Sequence, residues 1–510
     1  MKTLNNLLID AIKSNSSKVA TKEYTSMNPA SEIALTYKDI ELRVARLQHE
    51  LLARLESITL RESATVGIVC RNGADWIVAD LGCLFSGLAS LPLPHAFSRS
   101  QAHHLASKCD VFICDQTGEE TLKEKWGLEY DEQRCIRLDE TLCSYLEGAT
   151  LLDLATAAQP SVCKIIHTSG TTSRPKGVQL TPQAIVETYK SLSTSIPKES
   201  QKTYLSLVPL SLLLEQVTAI YLPLMNGGTV SFLPQDLPLI GENHCDIGKI
   251  VEWITFVQPT AMTAPPVMIE ALLNGIKQGD DALCQYLQDV PHITCGGARV
   301  DVETLEQLRS FGVEAYQGYG LSENASVVSV NTPQFNRLGS VGRPLPHVEV
   351  RIAQDGSIEI RSSSLFSGYS GHDPSACYVD EEGWLNTGDI GYLDEENYLY
   401  ISGRKKNIIC LPNGRNVYPE KIESEFQKKE GIVSAVLFLD EKKGTVILLK
   451  VDRNTFDQNK VEHWMHKEFS DIERPENVWV VDLHDDDIEA LFTVTDRPKR
   501  EEIKKRFQRI

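Results

Sequence analysis

Strand-like and helix-like segments alternate through roughly the first 330 residues of this 510-residue chain. That alternation argues for an α/β fold. "VGIVC", residues 66–70, reads as a short buried strand. "NGADWIVADLGCLFSGLASLPL" follows as a helix running into the next strand. "LTYKDIELRVARLQHELLARL" reads as one helix: Thr36 is a fair N-cap, and Ile40, Val44, Leu47 and Leu51 recur at helical spacing. The N-terminal "MKTLNNLLIDAIKSNSS" reads as an amphipathic first helix, because Asp10 interrupts its one apolar patch and spoils it as a signal peptide.

A chain of 510 residues exceeds one ordinary core, so two or more domains are expected. The period changes near residue 340. "VEVRIAQDGSIEIRS" alternates apolar and charged residues around Asp355-Gly356, which predicts a β-hairpin. "SGRKKNI", Ser402–Ile408, carries three consecutive cations and reads as a connector. Beyond it lies about one hundred residues, the size of a small α/β domain. This part holds the hairpin-like "VSAVLFLDEKKGTVILLKV" and a basic terminal helix, "EEIKKRFQRI". The expected division is therefore 1–403 and 404–510, with a hinge near 404–407.

Hydrophobic residues make up 42% of the chain, enough for a large core, and the net charge is −19. Charge of that sign repels nucleic acid and anionic membranes, so neither is an expected partner. No uninterrupted apolar run reaches membrane-spanning length, and the expected location is the cytoplasm. The twelve cysteines include no Cys-x-x-Cys pair, which fits core thiols in a reducing compartment better than zinc or disulfides. "HDDD", His484–Asp487, reads as an acidic surface turn, since its spacing matches no standard metal site.

The chemistry concentrates in "TSGTTSRPKGV", Thr168–Val178. Clustered hydroxyls, glycines and a lysine suit a phosphate. A Walker loop does not fit, because four residues after Gly170 lead to Pro175, Lys176 and Gly177 rather than Gly-Lys-Ser/Thr. The β-rich "VCKIIHT" precedes the loop, and "TPQAIVETYKSL" follows as a helix with Thr181 as N-cap and Pro182 at its first position. The loop is thus expected at a strand end, where ligand crevices of α/β sheets gather.

Together with "YQGYGLSE", "GWLNTGD" and "SGRKKNI", the loop resembles the AMP-forming adenylating enzymes: acyl-CoA synthetases, peptide-synthetase adenylation domains and beetle luciferases. The resemblance is collinear from about Leu35 to the C-terminus. It implies a large N-terminal domain and a small C-terminal domain that rotates between two half-reactions: ATP activates a carboxylate to an acyl-adenylate, and a thiol then displaces AMP. By resemblance, Thr168, Ser169, Gly170, Thr171 and Thr172 would hold the β- and γ-phosphates, and Lys176 would neutralise the leaving pyrophosphate. Tyr319 would stack on adenine beside Gln317 and Gly318, with Gly296, Gly297 and Ala298 allowing close approach to the ring. Ser322 would reach the α-phosphate and Glu323 would hold Mg²⁺. Asp389 would accept from both ribose hydroxyls, Arg404 would donate to the ribose or phosphate, and Lys406 falls at the hinge.

Two stretches depart from the family pattern. In "LFTVTDRPKR" Asp496 stands where glycine is usual and Arg497 where the adenylation lysine belongs; Lys499, two residues on, is a rival cation. In "LVPLSLLLEQV" Leu212 replaces a common histidine, and Leu210 takes the place of the aspartate that pairs with an α-ammonium. An unpaired ammonium there would be costly, which disfavours amino-acid substrates. Leu212, Leu213, Met262 and Pro265 suggest an apolar acyl pocket. The expected function is activation of an apolar carboxylic acid, a fatty acid foremost, with Mg²⁺ and ATP, and transfer to CoA or the phosphopantetheine of an acyl carrier protein. The alternatives are an aryl-acid or other acid ligase, and a nucleotide-binding pseudoenzyme without the usual lysine.

Overall fold

The computed structural model describes the chain apart from residues 1, 58–63, 129–130, 132, 139–159, 169–175, 243–244, 291, 298–299, 372–378, 411–415, 441–442, 471–472, 482–490, 493–497 and 508–510. It divides into two compact units. Met1–Thr168, Arg174–Glu349 and Arg361–Cys377 belong to the first; Val350–Ile360 and Tyr378–Ile510 belong to the second.

Two sheets organise the first unit. The nine-stranded sheet runs in the order Arg343–Pro344, Ser326–Val330, Ala315–Leu321, His292–Cys295, Ala261–Ala264, Thr203–Ser206, Thr229–Phe232, Val19–Tyr24, Glu32–Thr36. From Ala315–Leu321 to Val19–Tyr24 every pairing is parallel, and antiparallel strands close both ends. The seven-stranded sheet runs Gly368–Ser370, Lys176–Leu180, Lys164–Thr168, Ala89–Pro92, Thr65–Val69, Val111–Cys114, Cys135–Arg137. Its last five strands are parallel and its first two antiparallel. This is the expected α/β architecture.

Local signals place the helices. Tyr37–Ser57 begins at a reciprocal cap: Asp39 N–H donates to Thr36 Oγ1 at 3.2 Å, and Thr36 N–H to Asp39 Oδ2 at 2.8 Å. Thr181 Oγ1 accepts from Ala184 N–H at 3.1 Å and Pro182 opens the helix Pro182–Ser195. The first helix, Leu4–Ser14, buries Leu4, Leu8, Ile9 and Ile12 along one stripe.

One expectation is corrected here. The helix does not follow the phosphate-type loop directly. The strand Lys176–Leu180 intervenes and pairs antiparallel with Lys164–Thr168, so residues 169–175 join two strands of a hairpin. The incoming strand is pinned from below. The ammonium of Lys164, fully buried, pairs with Asp80, which also accepts from Tyr221 Oη at 2.6 Å and Ser90 Oγ at 3.0 Å. A buried charge is tolerable only when so partnered, and the arrangement fixes that strand against the helix Ala74–Phe85.

The second unit carries most of a four-stranded antiparallel sheet ordered Val348–Ile352, Ser357–Ser362, Leu385–Leu393, Leu399–Arg404. The Asp355-Gly356 hairpin forms as expected, with Ala353 N–H donating to Ser357 O at 2.9 Å. Ile432–Asp440 and Gly444–Val451 form the second expected hairpin, extended in parallel by Asn477–Val481. The terminal helix spans Arg500–Phe507. "SGRKKNI" is only partly a connector: Ser402, Gly403 and Arg404 end a strand, and the connector proper is the 3-10 turn Lys405–Asn407. The strand Leu399–Arg404 and the described residues C-terminal to it fall in the same compact unit.

Among the described residues no helix is long and apolar enough to cross a membrane. Cys70, Cys83, Cys109, Cys114, Cys135, Cys163 and Cys295 are buried and free. Burial pushes their thiols up, which marks packing groups rather than nucleophiles. Cys143, Cys377 and the stretch His484–Asp487 lie outside the described residues.

Candidate active site

In the first unit the antiparallel pair fixes the two ends of the loop. Thr168 and Lys176 are register partners, so the loop leaves the sheet and returns at one place, with Lys176 at its return. Residues Ser169, Gly170, Thr171 and Thr172 lie outside the described residues. His167, just before the loop, is pushed down to about 3 by burial, with Lys108 and His104 adding to the effect, and is neutral at ordinary pH.

Glu323 stands in a 3-10 turn, Ser322–Asn324, at the end of the strand Ala315–Leu321. A bulge falls between Tyr319 and Gly320, where it re-aims the side chains beyond it. Gly320 is required there: a Cβ would lie 1.8 Å from the carbonyl oxygen of Ser326. Ala325 and Ser326 hold φ of 46° and 95°, a strained pair directly after Asn324. The strain is held by a buried polar chain. Asn324 Nδ2 donates to Val327 O at 3.0 Å, and its Oδ1 accepts from Ser364 Oγ at 3.0 Å. Ser364 contacts His347 Nε2 at 2.8 Å, and Ser191 contacts His347 Nδ1 at 2.7 Å. Because Ser364 donates to Asn324, the imidazole must donate from Nε2 and accept at Nδ1. Burial pushes His347 down to about 4, consistent with that neutral tautomer.

Glu323 and Lys176 meet at a residue outside every motif. Tyr369 Oη donates to Glu323 Oε1 at 2.8 Å, and Lys176 Nζ lies 4.9 Å from the centroid of the same ring. Cation, aromatic ring and carboxylate thus form one cluster.

Gln317 is the register partner of Cys295, which sets Gly296 and Gly297 beside Gly318 at the ends of adjacent parallel strands. Gly297 has φ +84°, which favours glycine at that turn. Ala298 lies outside the described residues. The glycines, Gln317, Gly318, Tyr319, Ser322 and Glu323 therefore share one end of the nine-stranded sheet.

In the second unit, Asp389 and Arg404 are register partners on adjacent strands, and Arg404 Nε donates to Asp389 Oδ1 at 2.7 Å. Asp389 is only 3% exposed, and its N–H donates to Thr387 Oγ1 at 3.1 Å. Lys405 is occupied elsewhere, pairing with Asp355 at 2.6 Å; that contact holds the Asp355 carboxyl well below the usual carboxylate range. Asn407 Nδ2 donates to Glu420 Oε1 at 2.5 Å, and Arg500 Nη2 reaches the same oxygen at 3.5 Å. Arg500 is held further by Glu423 at 2.7 Å and the Leu437 carbonyl at 2.9 Å. The turn that carries Lys406 and the segment that carries Lys499 are thus tied through the helix Pro419–Gln427. Arg497 lies outside the described residues.

A profile of the AMP-binding enzyme family matches residues 11–370, well over half of the chain. The chain belongs to the AMP-binding enzyme family. This AMP-binding enzyme is 27% identical over 462 residues to the long-chain-fatty-acid–CoA ligase ACSBG2 of Xenopus laevis, an alignment covering 76% of the chain and 62% of the ligase. It is 25% identical over 423 residues to the 2-succinylbenzoate–CoA ligase of Bacillus subtilis, covering 79% and 81% of the two chains. The fold matches that of the o-succinylbenzoate CoA synthetase of Bacillus subtilis in complex with its acyl-adenylate intermediate, with a TM-score of 0.79, 21% identity and 98% of each chain covered.

Of the residues expected to line an acyl pocket in this AMP-binding enzyme, Met262 and Leu213 are packed away, at 1% and 4% exposure. Leu212 and Pro265 are half-buried. Leu213 begins a short helical segment anchored by Glu215, which is fully buried and accepts from Tyr204 Oη at 3.2 Å. Burial pushes Glu215 up to about 8. The same hydroxyl also contacts Thr218 Oγ1 and Thr263 Oγ1, which ties the leucines to the strands Thr203–Ser206 and Ala261–Ala264.

Proposed function

We propose that this chain is an AMP-forming acid–thiol ligase. With Mg²⁺-ATP it converts an apolar carboxylic acid, a fatty acid foremost, to an acyl-adenylate and pyrophosphate. It then transfers the acyl group to the thiol of CoA or of a carrier-protein phosphopantetheine. The observation that carries this reading is the Lys176–Tyr369–Glu323 cluster beside a hydroxyl-rich loop. A cation and a carboxylate joined at one place suit a metal-bound polyphosphate, whose two charges need opposite partners.

Glu323 fits Mg²⁺. It is a hard oxygen donor, and among the described residues no group of three or more His, Cys, Asp or Glu could hold a metal. Mg²⁺ typically takes one or two carboxylates and completes its shell with water and phosphate oxygens. Bound there, the ion would supply charge neutralisation on the leaving pyrophosphate.

The chain's own residues do the rest. Loop amides and the hydroxyls of Thr168, Ser169, Thr171 and Thr172 donate to the outer phosphates, and Lys176 takes the charge that develops as pyrophosphate leaves. Tyr319, Gln317 and the Gly296–Ala298 stretch hold adenine, Ser322 the α-phosphate, and Asp389 with Arg404 the ribose. Arg497 or Lys499 brings a cation to the carboxylate and α-phosphate; Arg500, next to Lys499, is held by Glu423. The substrate oxygen attacks the α-phosphorus and the bond to the β-phosphate oxygen breaks. The thiol then attacks the acyl carbon and AMP departs with the substrate's oxygen. Lys406 is the pivot between the steps, and the cytoplasm, where these cosubstrates are soluble, is the site of reaction. An aryl acid is the second reading, favoured by the likeness to the succinylbenzoate ligase.

The oxygen balance gives the test. With a substrate labelled with ¹⁸O in its carboxylate, AMP should carry one ¹⁸O atom after thioester formation. Labelled inorganic phosphate, or ADP as product, would reject an AMP-forming route.

A further inference from the structure

Tyr369 lies on the short edge strand Gly368–Ser370, opposite Val178 in the antiparallel pair with Lys176–Leu180. Side chains two apart on a strand share a face, so Tyr369 is the diagonal neighbour of Lys176. The ring is not left to wander. Phe366 packs edge-on against it at 4.8 Å, and the backbone N–H of Phe366 donates to Glu323 O at 2.8 Å. Ser367 N–H donates to Gln179 O at 2.9 Å. The segment is therefore tied on one side to the strand after the loop and on the other to the turn that bears Glu323.

One side chain consequently touches both charged groups of the cluster, with different parts. Its π face receives the Lys176 ammonium, and its hydroxyl donates to one oxygen of the Glu323 carboxylate. Phenylalanine in its place would lose the bond to the carboxylate and keep the ring under the ammonium.

We propose that Tyr369 is a positioning residue that sets the Glu323 carboxylate for the metal through its hydroxyl and the Lys176 ammonium for the phosphates through its ring. The inference rests on the nucleotide reading of this site. Its hydroxyl governs how ATP binding depends on Mg²⁺, and its ring governs ATP binding whatever the Mg²⁺ level.

The test is calorimetric titration of a non-hydrolysable ATP analogue, α,β-methylene-ATP, into the full chain at graded Mg²⁺ concentrations. Wild type, Tyr369→Phe, Tyr369→Leu and Glu323→Gln are compared, each with a thermal melt. Tyr369→Phe should raise the Mg²⁺ concentration for half-maximal affinity by about tenfold, the size of one hydrogen bond to a charged group, and reach wild-type affinity at saturating Mg²⁺. Tyr369→Leu should stay weaker even there. A merely structural tyrosine would lower the melting temperature and leave the Mg²⁺ midpoint unchanged. If Glu323→Gln shifts the midpoint and Tyr369→Phe matches wild type, the assignment of Tyr369 is overturned and the nucleotide site stands. If wild type does not bind the analogue at any Mg²⁺ level, the nucleotide reading itself falls, and this assignment with it.

Discussion

Asp389→Ala should lower kcat/KM for ATP by about a hundredfold, the loss of two charge-assisted hydrogen bonds at the low end of their usual worth. The carboxylate is 3% exposed, with one oxygen held by Arg404 at 2.7 Å. An ionised acid so placed is a ready acceptor for a pair of vicinal hydroxyls. The substitution also removes the partner of Arg404, but that guanidinium is 36% exposed. Water can take over there, so the stability cost should stay near about 1 kcal/mol. A melting temperature close to wild type, together with the kinetic loss, would assign the effect to nucleotide binding. ATP kinetics within about threefold of wild type would remove Asp389 from the ribose site.

Lys406→Pro should separate the two half-reactions. Lys406 sits in the 3-10 turn Lys405–Asn407, whose ends are fastened by Lys405 to Asp355 and by Asn407 to Glu420. Proline fits the φ of such a turn but restricts it to one value, whereas a pivot must adopt two. On the proposed order, with rotation after adenylation, acid-dependent pyrophosphate release should fall by less than about threefold. Thioester formation should fall by about tenfold or more, which corresponds to a conformational cost of at least about 1.4 kcal/mol. Single-turnover measurement of acyl-AMP and of thioester reads the two steps separately. Equal losses in both would contradict a pivot at this residue.

What the sequence makes legible here is what is encoded locally. The caps at Thr36 and Thr181 and the Asp355-Gly356 turn depend on residues within a few positions of each other, and all are present in the fold. The strand Lys176–Leu180 is not legible, because "KGVQL" offers only two apolar residues after Pro-Lys-Gly; its partner strands, not its own pattern, make it a strand. Likewise Ser402–Arg404 is extended because Arg404 pairs across the sheet with Asp389. Among the candidate residues, motif order brings forward Lys176, Glu323, Asp389 and Arg404. Tyr369 stays hidden: it is 46 residues from Glu323, and only sheet pairing brings its ring to Lys176. The chain from Ser191 through His347 and Ser364 to Asn324 is invisible for the same reason, each contact joining different elements. Burial of the residues expected at an acyl pocket is not legible either: Met262 and Leu213 are packed away, whereas Leu212 and Pro265 are half-buried.

Pyrophosphate release by the purified protein with Mg²⁺-ATP, across carboxylic acids from short to long chain and aromatic, each with and without CoA, tests the central claim most directly. Release that requires an acid, peaks with a long apolar chain and speeds up with CoA is the predicted result. Release that is absent with every acid, or the same without one, from protein that still binds ATP would contradict an acid-activating ligase.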